Sequence, residues 1–140
     1  MIVEELGRDE DLQVAQLWAR VGLTRAWNDP IADFHRALDG PTSTVLGARR
    51  EGALIGTVMV GHDGHRGWVY YLAVDPRYWG DGIGSALMTA AEEWLRSRGA
   101  VKIQLMVRTE NDDALGFYDK IGYVESDVKV RSRRLDGSQF

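Results

Sequence analysis

From Val74 to Ser85 the chain reads Val-Asp-Pro-Arg-Tyr-Trp-Gly-Asp-Gly-Ile-Gly-Ser, with glycines at the alternate positions 80, 82 and 84. Residues without a Cβ let backbone N–H groups turn inward around an anion, and a helix starting behind them adds the positive end of its dipole. That is chemistry for holding a phosphate without a dedicated lysine. A nucleoside-triphosphate loop requires a longer spacing that ends in Lys and Ser or Thr; here Ser85-Ala86 follow Gly84 and no lysine is near. A dinucleotide loop requires Gly-x-Gly-x-x-Gly after the first strand of a parallel βαβ unit, and Glu110 lies too far along to be its ribose-binding acid. The third phosphate ligand to consider is coenzyme A, whose pyrophosphate needs the same backbone nest.

The elements that must position this loop follow from hydrophobic periodicity and turn chemistry. Ile2–Leu6 reads as a short strand, and a helix from Asp9 carries Val14, Leu17, Trp18 and Val21 on one face and closes at Gly22. Arg25, Trp27, Asn28 and Asp29 crowd ahead of Pro30, which suits the first turn of a second helix running to about Leu38. Thr44–Arg50, Ala53–His62 and Arg66–Val74 are strands joined at Glu51-Gly52 and Asp63-Gly64, two hairpin signals that dictate an antiparallel meander. After the glycine loop, Ile83, Leu87, Ala90, Ala91, Trp94 and Leu95 mark a helix with Gly99 as its left-handed stop, and Lys102–Val107 reads as a strand. Strand, loop, helix and strand make one parallel crossover, predicted at the centre of the sheet. Asp112–Ile121 is a last helix, capped by Asn111 or Asp112 and ended by Gly122, and Val124–Val130 alternates as a final strand. The expected architecture is an α+β domain with a mostly antiparallel sheet and the glycine loop at the carboxyl end of a strand, where ligands bind in such folds.

Composition narrows the function. With 140 residues, the chain reads as a single domain, 1–140, with 44% apolar and 27% charged residues. A net charge of −4 argues against nucleic acid as the main partner, the basic run Lys129, Arg131, Arg133, Arg134 reading as a solvated strand face. There is no cysteine, which removes disulfides, thiolate metal sites and a cysteine nucleophile and fits a reducing compartment. Met1–Glu5 is too short and acidic for a signal peptide, and no apolar run approaches the ~20 residues that span a bilayer. A cytoplasmic location with no membrane or nucleic-acid partner is therefore expected.

The order of elements, Tyr71-Leu72-Ala73-Val74, the run Trp79-Gly80-Asp81-Gly82-Ile83-Gly84, and Asn111-Asp112-Asp113-Ala114-Leu115-Gly116-Phe117-Tyr118-Asp119-Lys120-Ile121-Gly122-Tyr123 together resemble the GNAT family of N-acetyltransferases over nearly the whole chain. Within that family, Arg25–Pro30 and Asp63-Gly64-His65-Arg66-Gly67 resemble the YpeA-like bacterial branch. The resemblance implies a GNAT-type sheet with helices on both faces and acetyl-CoA as co-substrate, with no metal. Two positions depart from the family pattern: Trp79 stands where Gln or Arg is usual, and Asp81 where a basic residue is frequent. The loop works through backbone N–H groups, so neither forbids binding. Asp81 would repel a pyrophosphate, and its side chain is expected to point to solvent.

Residue roles implied by the resemblance match physical needs. The strand edge Leu72-Ala73-Val74 offers main-chain groups to the acetyl carbonyl and pantetheine amides, as an added strand would use them, with the side chains of Leu72 and Val74 in the core. Gly80, Gly82 and Gly84, with Trp79, Asp81, Ile83 and Ser85, form the pyrophosphate cradle. The Ser85 hydroxyl is either a ligand or a helix cap. Tyr118 matches the family's thiolate acid: it shares a helix face with Ala114 and Ile121, and a phenol titrating near 10 keeps its proton at neutral pH. Asn111 either bonds the pantetheine arm or only caps the helix. The base is open among His65, Glu110, Asp29 and a water chain, because Tyr70 and Tyr71 occupy the strand where the family places a carboxylate. Trp27, Asn28 and Asp29 wall the acceptor pocket or serve as anchor and caps, with His65 and Tyr71 as further acceptor candidates. The implied reaction is direct transfer of the acetyl group from acetyl-CoA to a primary amine, small-molecule or peptide, in a ternary complex. The rival from another class is a non-catalytic acyl-CoA-binding or regulatory module, and an unpaired last strand leaves a homodimer open. A protein-interaction role would need an exposed apolar patch, and Trp68 and Trp79 read instead as packing locally.

Overall fold

The chain has the mixed α+β architecture expected, with five strands and four α-helices in a computed structural model that describes residues 1–139. The residues form two compact units, Met1–Leu105 and a second from Met106 onward. In the first, β1 (Ile2–Glu5) leads through a 3-10 turn (Arg8–Glu10) into α1 (Asp11–Arg20), and α2 (Pro30–Asp39) follows after an irregular connection. The helix predicted from Asp9 thus starts two residues later. The strands β2 (Ser43–Arg50), β3 (Ala53–His62) and β4 (Gly67–Val74) form the predicted meander. Both turns show why: Glu51 and Gly52 take φ of 53° and 80°, the twist a two-residue hairpin demands, and the Asp63 carboxylate accepts from the amides of His65 (2.8 Å) and Arg66 (2.7 Å).

Helix α3 (Ile83–Arg96) returns the chain to β5 (Ile103–Gln104), which pairs parallel with the start of β4. The strand order is β1-β2-β3-β4-β5. The parallel crossover therefore lies at the sheet's edge among the described residues, not at its centre, and β5 is two residues long where Lys102–Val107 was predicted. Val124–Val130 forms no strand there either: Val124, Val128 and Val130 alternate with polar residues but stay exposed. Alternation supplies a face; a hydrogen-bonded neighbour supplies the strand.

Helices pack on both faces of the sheet, as predicted. Leu17 and Trp18 of α1 and Phe34 of α2 bury with Leu6, Val45 and Ala73 on one face. On the other, Ile83, Leu87 and Leu95 of α3 approach so closely that a Cβ at Gly56 would lie 2.9 Å from Leu87 and one at Gly67 2.4 Å from Leu95.

The middle of β4 departs from regularity. Thr57 faces Ala73 and Met59 faces Tyr70, so Tyr71 and Leu72 bulge opposite Val58. Tyr71 takes a φ of 53°, a left-handed conformation that costs a side-chain-bearing residue about 1–2 kcal/mol. Buried Thr57 helps hold it there, accepting from Trp18 Nε1 at 2.8 Å and donating to the Tyr71 carbonyl at 3.0 Å. Thr57→Val keeps the volume and removes both bonds. It should lower the unfolding free energy of the whole chain by about 1–3 kcal/mol in urea titrations.

Candidate active site

Tyr71 is fixed by its surroundings on every side. Its ring stacks on Trp18 with centroids 3.7 Å apart and planes 9° from parallel, and its hydroxyl donates to Asp33 Oδ2 at 2.8 Å. Burial and the adjoining Asp33 carboxylate push the phenol well above its ordinary pKa, so it remains a donor. Beyond the bulge the strand bends. Only Gly67 and Trp68 pair with β5, so among the described residues Leu72–Val74 have a strand neighbour on the β3 side alone. The side chains divide differently from expectation: Ala73 is the buried one, while Leu72 and Val74 are half-buried, because the bulge changes how the strand presents its faces.

At the end of β4, Asp75 is buried and holds this end of the unit together. Its Oδ1 accepts from the Arg77 amide (3.0 Å) and Nε (3.2 Å), and its Oδ2 from Arg77 Nη2 (2.9 Å) and Arg20 Nη1 (3.1 Å). The Arg77 hydrogen bonds, more than its charge or that of Arg20, pull the Asp75 carboxyl down to about 2. The Arg20 contact also pins the last turn of α1 to the end of β4. The α1–α2 connection, carrying Trp27, Asn28 and Asp29, therefore leaves from the end of the sheet where the glycine loop begins.

The loop has the backbone freedom inferred from its glycines. After a 3-10 turn at Pro76–Tyr78, Gly80 and Gly82 take φ of 88° and 80°. Nothing lies within 4 Å of a Cβ built at either, so the space they open is unfilled. Gly82 is the N-cap of α3 and carries no side-chain cap, which leaves the first-turn amides of Ile83, Gly84 and Ser85 turned outward. The Ser85 hydroxyl makes no hydrogen bond among the described residues, so the capping role is not taken. Asp81 turns to Arg50 at the end of β2 (3.1 Å), a partner the sequence did not reveal. Trp79 is 66% exposed rather than locally packed, and its indole N–H donates to the Val74 carbonyl at 2.8 Å, on the open edge itself.

The other candidates divide by position. Asp29 caps α2, accepting from Ala32 N at 3.1 Å, and Asn28 N bonds the Arg25 carbonyl. Of the two, Asp29 alone takes the capping role, while the Asn28 amide closes a turn before the helix; both residues lie in the α1–α2 connection. His65 sits in the β3–β4 turn, at the opposite end of β4 from Val74, roughly 25 Å away at strand rise. Trp68, in the same turn region, bonds Asp63 at 3.2 Å. Asp33 was missed: its place one turn after Asp29 reads as ordinary first-turn acidity, and only the fold brings it to Tyr71.

In the second unit, α4 (Asp112–Lys120) is capped by Asn111, whose Oδ1 accepts from Ala114 N at 3.1 Å, and ended by Gly122 at φ 95°. Tyr118 is half-buried against Phe117 and Tyr123 in edge-on contacts, and burial pushes its phenol up to about 12. Its hydroxyl makes no hydrogen bond among the described residues, so it is not a core tyrosine tied to a carbonyl.

A bulged strand, a glycine loop with two left-handed glycines and a helix start without a side-chain cap follow one another at this end of the sheet. Residues 10–123 match the acetyltransferase (GNAT) family, and the chain belongs to it. Solved structures share the fold. Aminoglycoside N-acetyltransferase AAC(6')-Iy, in complex with the bisubstrate analogue CoA-S-monomethyl-acetylneamine, superposes with a TM-score of 0.82 at 14% identity, covering 95% of this chain and 97% of that one. The ribosomal-protein-alanine N-acetyltransferase of Brucella melitensis biovar Abortus gives 0.77 at 23% identity, over 95% and 98%. A protein described as a transcriptional regulator from Bacillus halodurans gives 0.82 at 20%, over 95% and 99%.

Asp75 gives a direct test of how this end of the sheet is held. Asp75→Asn should destabilise the chain by about 1–3 kcal/mol at pH 7 in chemical denaturation. The folded-state pKa lies below the ordinary 3.8, so the ionised group stabilises fully above that value and its contribution is lost as pH falls through about 2. The gap between wild type and variant should close over that window.

Proposed function

We propose that the chain is an acetyl-CoA-dependent N-acetyltransferase acting on a primary amine by direct attack in a ternary complex, and that the two units work as one catalytic domain. The observation that carries this reading is the unpaired Leu72–Val74 edge leading into the Gly80–Ser85 nest and the uncapped start of α3. The Gly80 and Gly82 region with the α3 amides would hold the pyrophosphate, and the strand edge would hold the pantetheine amides and acetyl carbonyl. Trp79 must release the Val74 carbonyl if the pantetheine uses it. Bound acetyl-CoA supplies the activated acyl group. The amine nitrogen forms the new C–N bond to the acetyl carbon as the C–S bond breaks. Tyr118 gives its proton to the departing sulfur; burial keeps the phenol protonated at neutral pH, so the proton is there to give. The proton the amine loses passes to a water chain, and the Tyr118 phenolate regains its own proton from solvent, so the transfer balances as amine plus thioester to amide plus thiol. Asp29 and Asp33, at the end of the unit where the loop begins, suit a cationic acceptor.

Family relatives of this fold include enzymes described as acting on aminoglycosides and on a ribosomal protein's alanine, which makes both reasonable first probes. The Arg25–Pro30 and Asp63–Gly67 stretches resemble the YpeA-like bacterial branch and support assigning the chain to it.

Unfolding followed with acetyl-CoA, CoA and NADH tests the ligand. At about 100 times Kd, acetyl-CoA and CoA should each add roughly 2.7 kcal/mol, about 5–12 °C in Tm, with none for NADH. No shift with millimolar CoA overturns the reading. Activity is then screened with a panel of amines, including an aminoglycoside and an alanine-terminated peptide, by release of the CoA thiol. Tyr118→Phe should lower kcat about 100-fold or more and leave acetyl-CoA binding unchanged. Because the phenol titrates near 12, no alkaline loss of kcat from Tyr118 should appear up to about pH 10. CoA binding without turnover of any amine, unaffected by Tyr118→Phe, would favour the acyl-CoA-binding module.

A further inference from the structure

The glycine loop has no cation of its own. From Trp79 to Ser85 it carries a single charged side chain, and that one, Asp81, has the wrong sign for a phosphate and stands between the two left-handed glycines. Of the arginines near this end of the sheet, Arg20 and Arg77 are committed to buried Asp75. Arg50 is not. It comes from the last position of β2, far from the loop in sequence, and places Nη1 3.1 Å from Asp81 Oδ2. Its guanidinium lies over the Tyr78 ring, 5.3 Å from the centroid, which holds the planar group beside the loop without using its donors. Among the described residues Arg50 makes no hydrogen bond other than that to Asp81, so most of its N–H fork is unused. Its side chain is 37% exposed, and that of Asp81 48%.

Resting on the coenzyme A reading of the loop, we infer that Arg50 is the missing cation of the nest: in the free protein Asp81 holds it in place, and on binding it turns its unused donors to the pyrophosphate. Asp81 is then a positioning residue rather than a defect. A guanidinium suits this task because its fork can bridge a carboxylate and a phosphate oxygen at once, which a single ammonium cannot do as well. The alternative is that Arg50 only neutralises Asp81, an exposed pair of little consequence. The two differ in what happens when both charges are removed.

The test is isothermal titration of CoA and of dephospho-CoA, which lacks the 3′-phosphate and keeps the pyrophosphate, into wild type, Arg50→Gln, Asp81→Asn and the double variant. Unligated melting and circular dichroism check that each is folded, and both residues are exposed enough to be replaced. Arg50→Gln should weaken both ligands about tenfold. The double variant should stay as weak as Arg50→Gln, because no cation reaches the nest. Arg50→Lys should recover part of the loss. Wild-type affinity in the double variant, or an unchanged Kd for Arg50→Gln, would overturn the inference while leaving the loop's ligand established. A loss with CoA but none with dephospho-CoA would overturn it too, since the arginine would then serve the 3′-phosphate. If wild type binds neither ligand, the reading of the loop fails and this one with it.

Discussion

Tyr71 carries the constraint on which the site depends. A tyrosine at φ 53° is strained by about 1–2 kcal/mol, and it stays there because each of its parts is held: the ring by Trp18, the hydroxyl by Asp33, the carbonyl by Thr57. Thr57 in turn is held by the Trp18 indole, so one buried tryptophan supports the ring and the backbone of the same residue. The consequence is geometric. The bulge at Tyr71 and Leu72 breaks the regular register of β4, and among the described residues the backbone of Leu72–Val74 has a strand neighbour on one side only. Strain in the backbone is thus converted into an open row of main-chain groups.

Past the bulge, the placement of charge takes over from the placement of backbone. Asp75 is buried, and a buried carboxylate persists only with partners. Two arginines and a backbone amide satisfy it, and in doing so join the end of α1 to the end of β4 and fix where the loop starts. Asp81 sits on the surface and takes its arginine from β2. The loop between them is left to its backbone, with the dipole of α3 behind it and nothing within 4 Å of where a Cβ would stand at Gly80 or Gly82. In our proposal the first unit contributes mainly main-chain groups to the cofactor, and the second contributes a single phenol. Burial raises that phenol's pKa, which keeps it protonated at neutral pH.

The features legible in the sequence are local ones. The glycines at 80 and 82, the hairpin turns at Glu51-Gly52 and Asp63-Gly64, Pro30 opening a helix, and Gly99 and Gly122 closing two others all act through the backbone of their own neighbourhood, so residue type and spacing reveal them; Gly84, read as part of the loop, lies instead in the first turn of α3. The meander followed because short turns leave strands no other partner. Combined with the motif around Tyr118, this was enough to reach the family. Where reading by pattern failed, pattern was insufficient by nature: Val124–Val130 alternates well, yet a strand requires a hydrogen-bonded neighbour.

The sequence by itself determined the order of most elements and the conformational freedom of the loop, because each depends on residues close together in the chain. Tertiary structure alone decided the bulge at Tyr71, the pairing of Tyr71 with Asp33, the junction of Arg20 with Asp75 and the reach of Arg50 to Asp81. It also separated His65 from the loop by the length of β4. These contacts join residues 31 to 55 positions apart, and no local propensity encodes them. They exist because burying one apolar face of α1 and α2 on the sheet fixes, as a by-product, which charged side chains meet at its end.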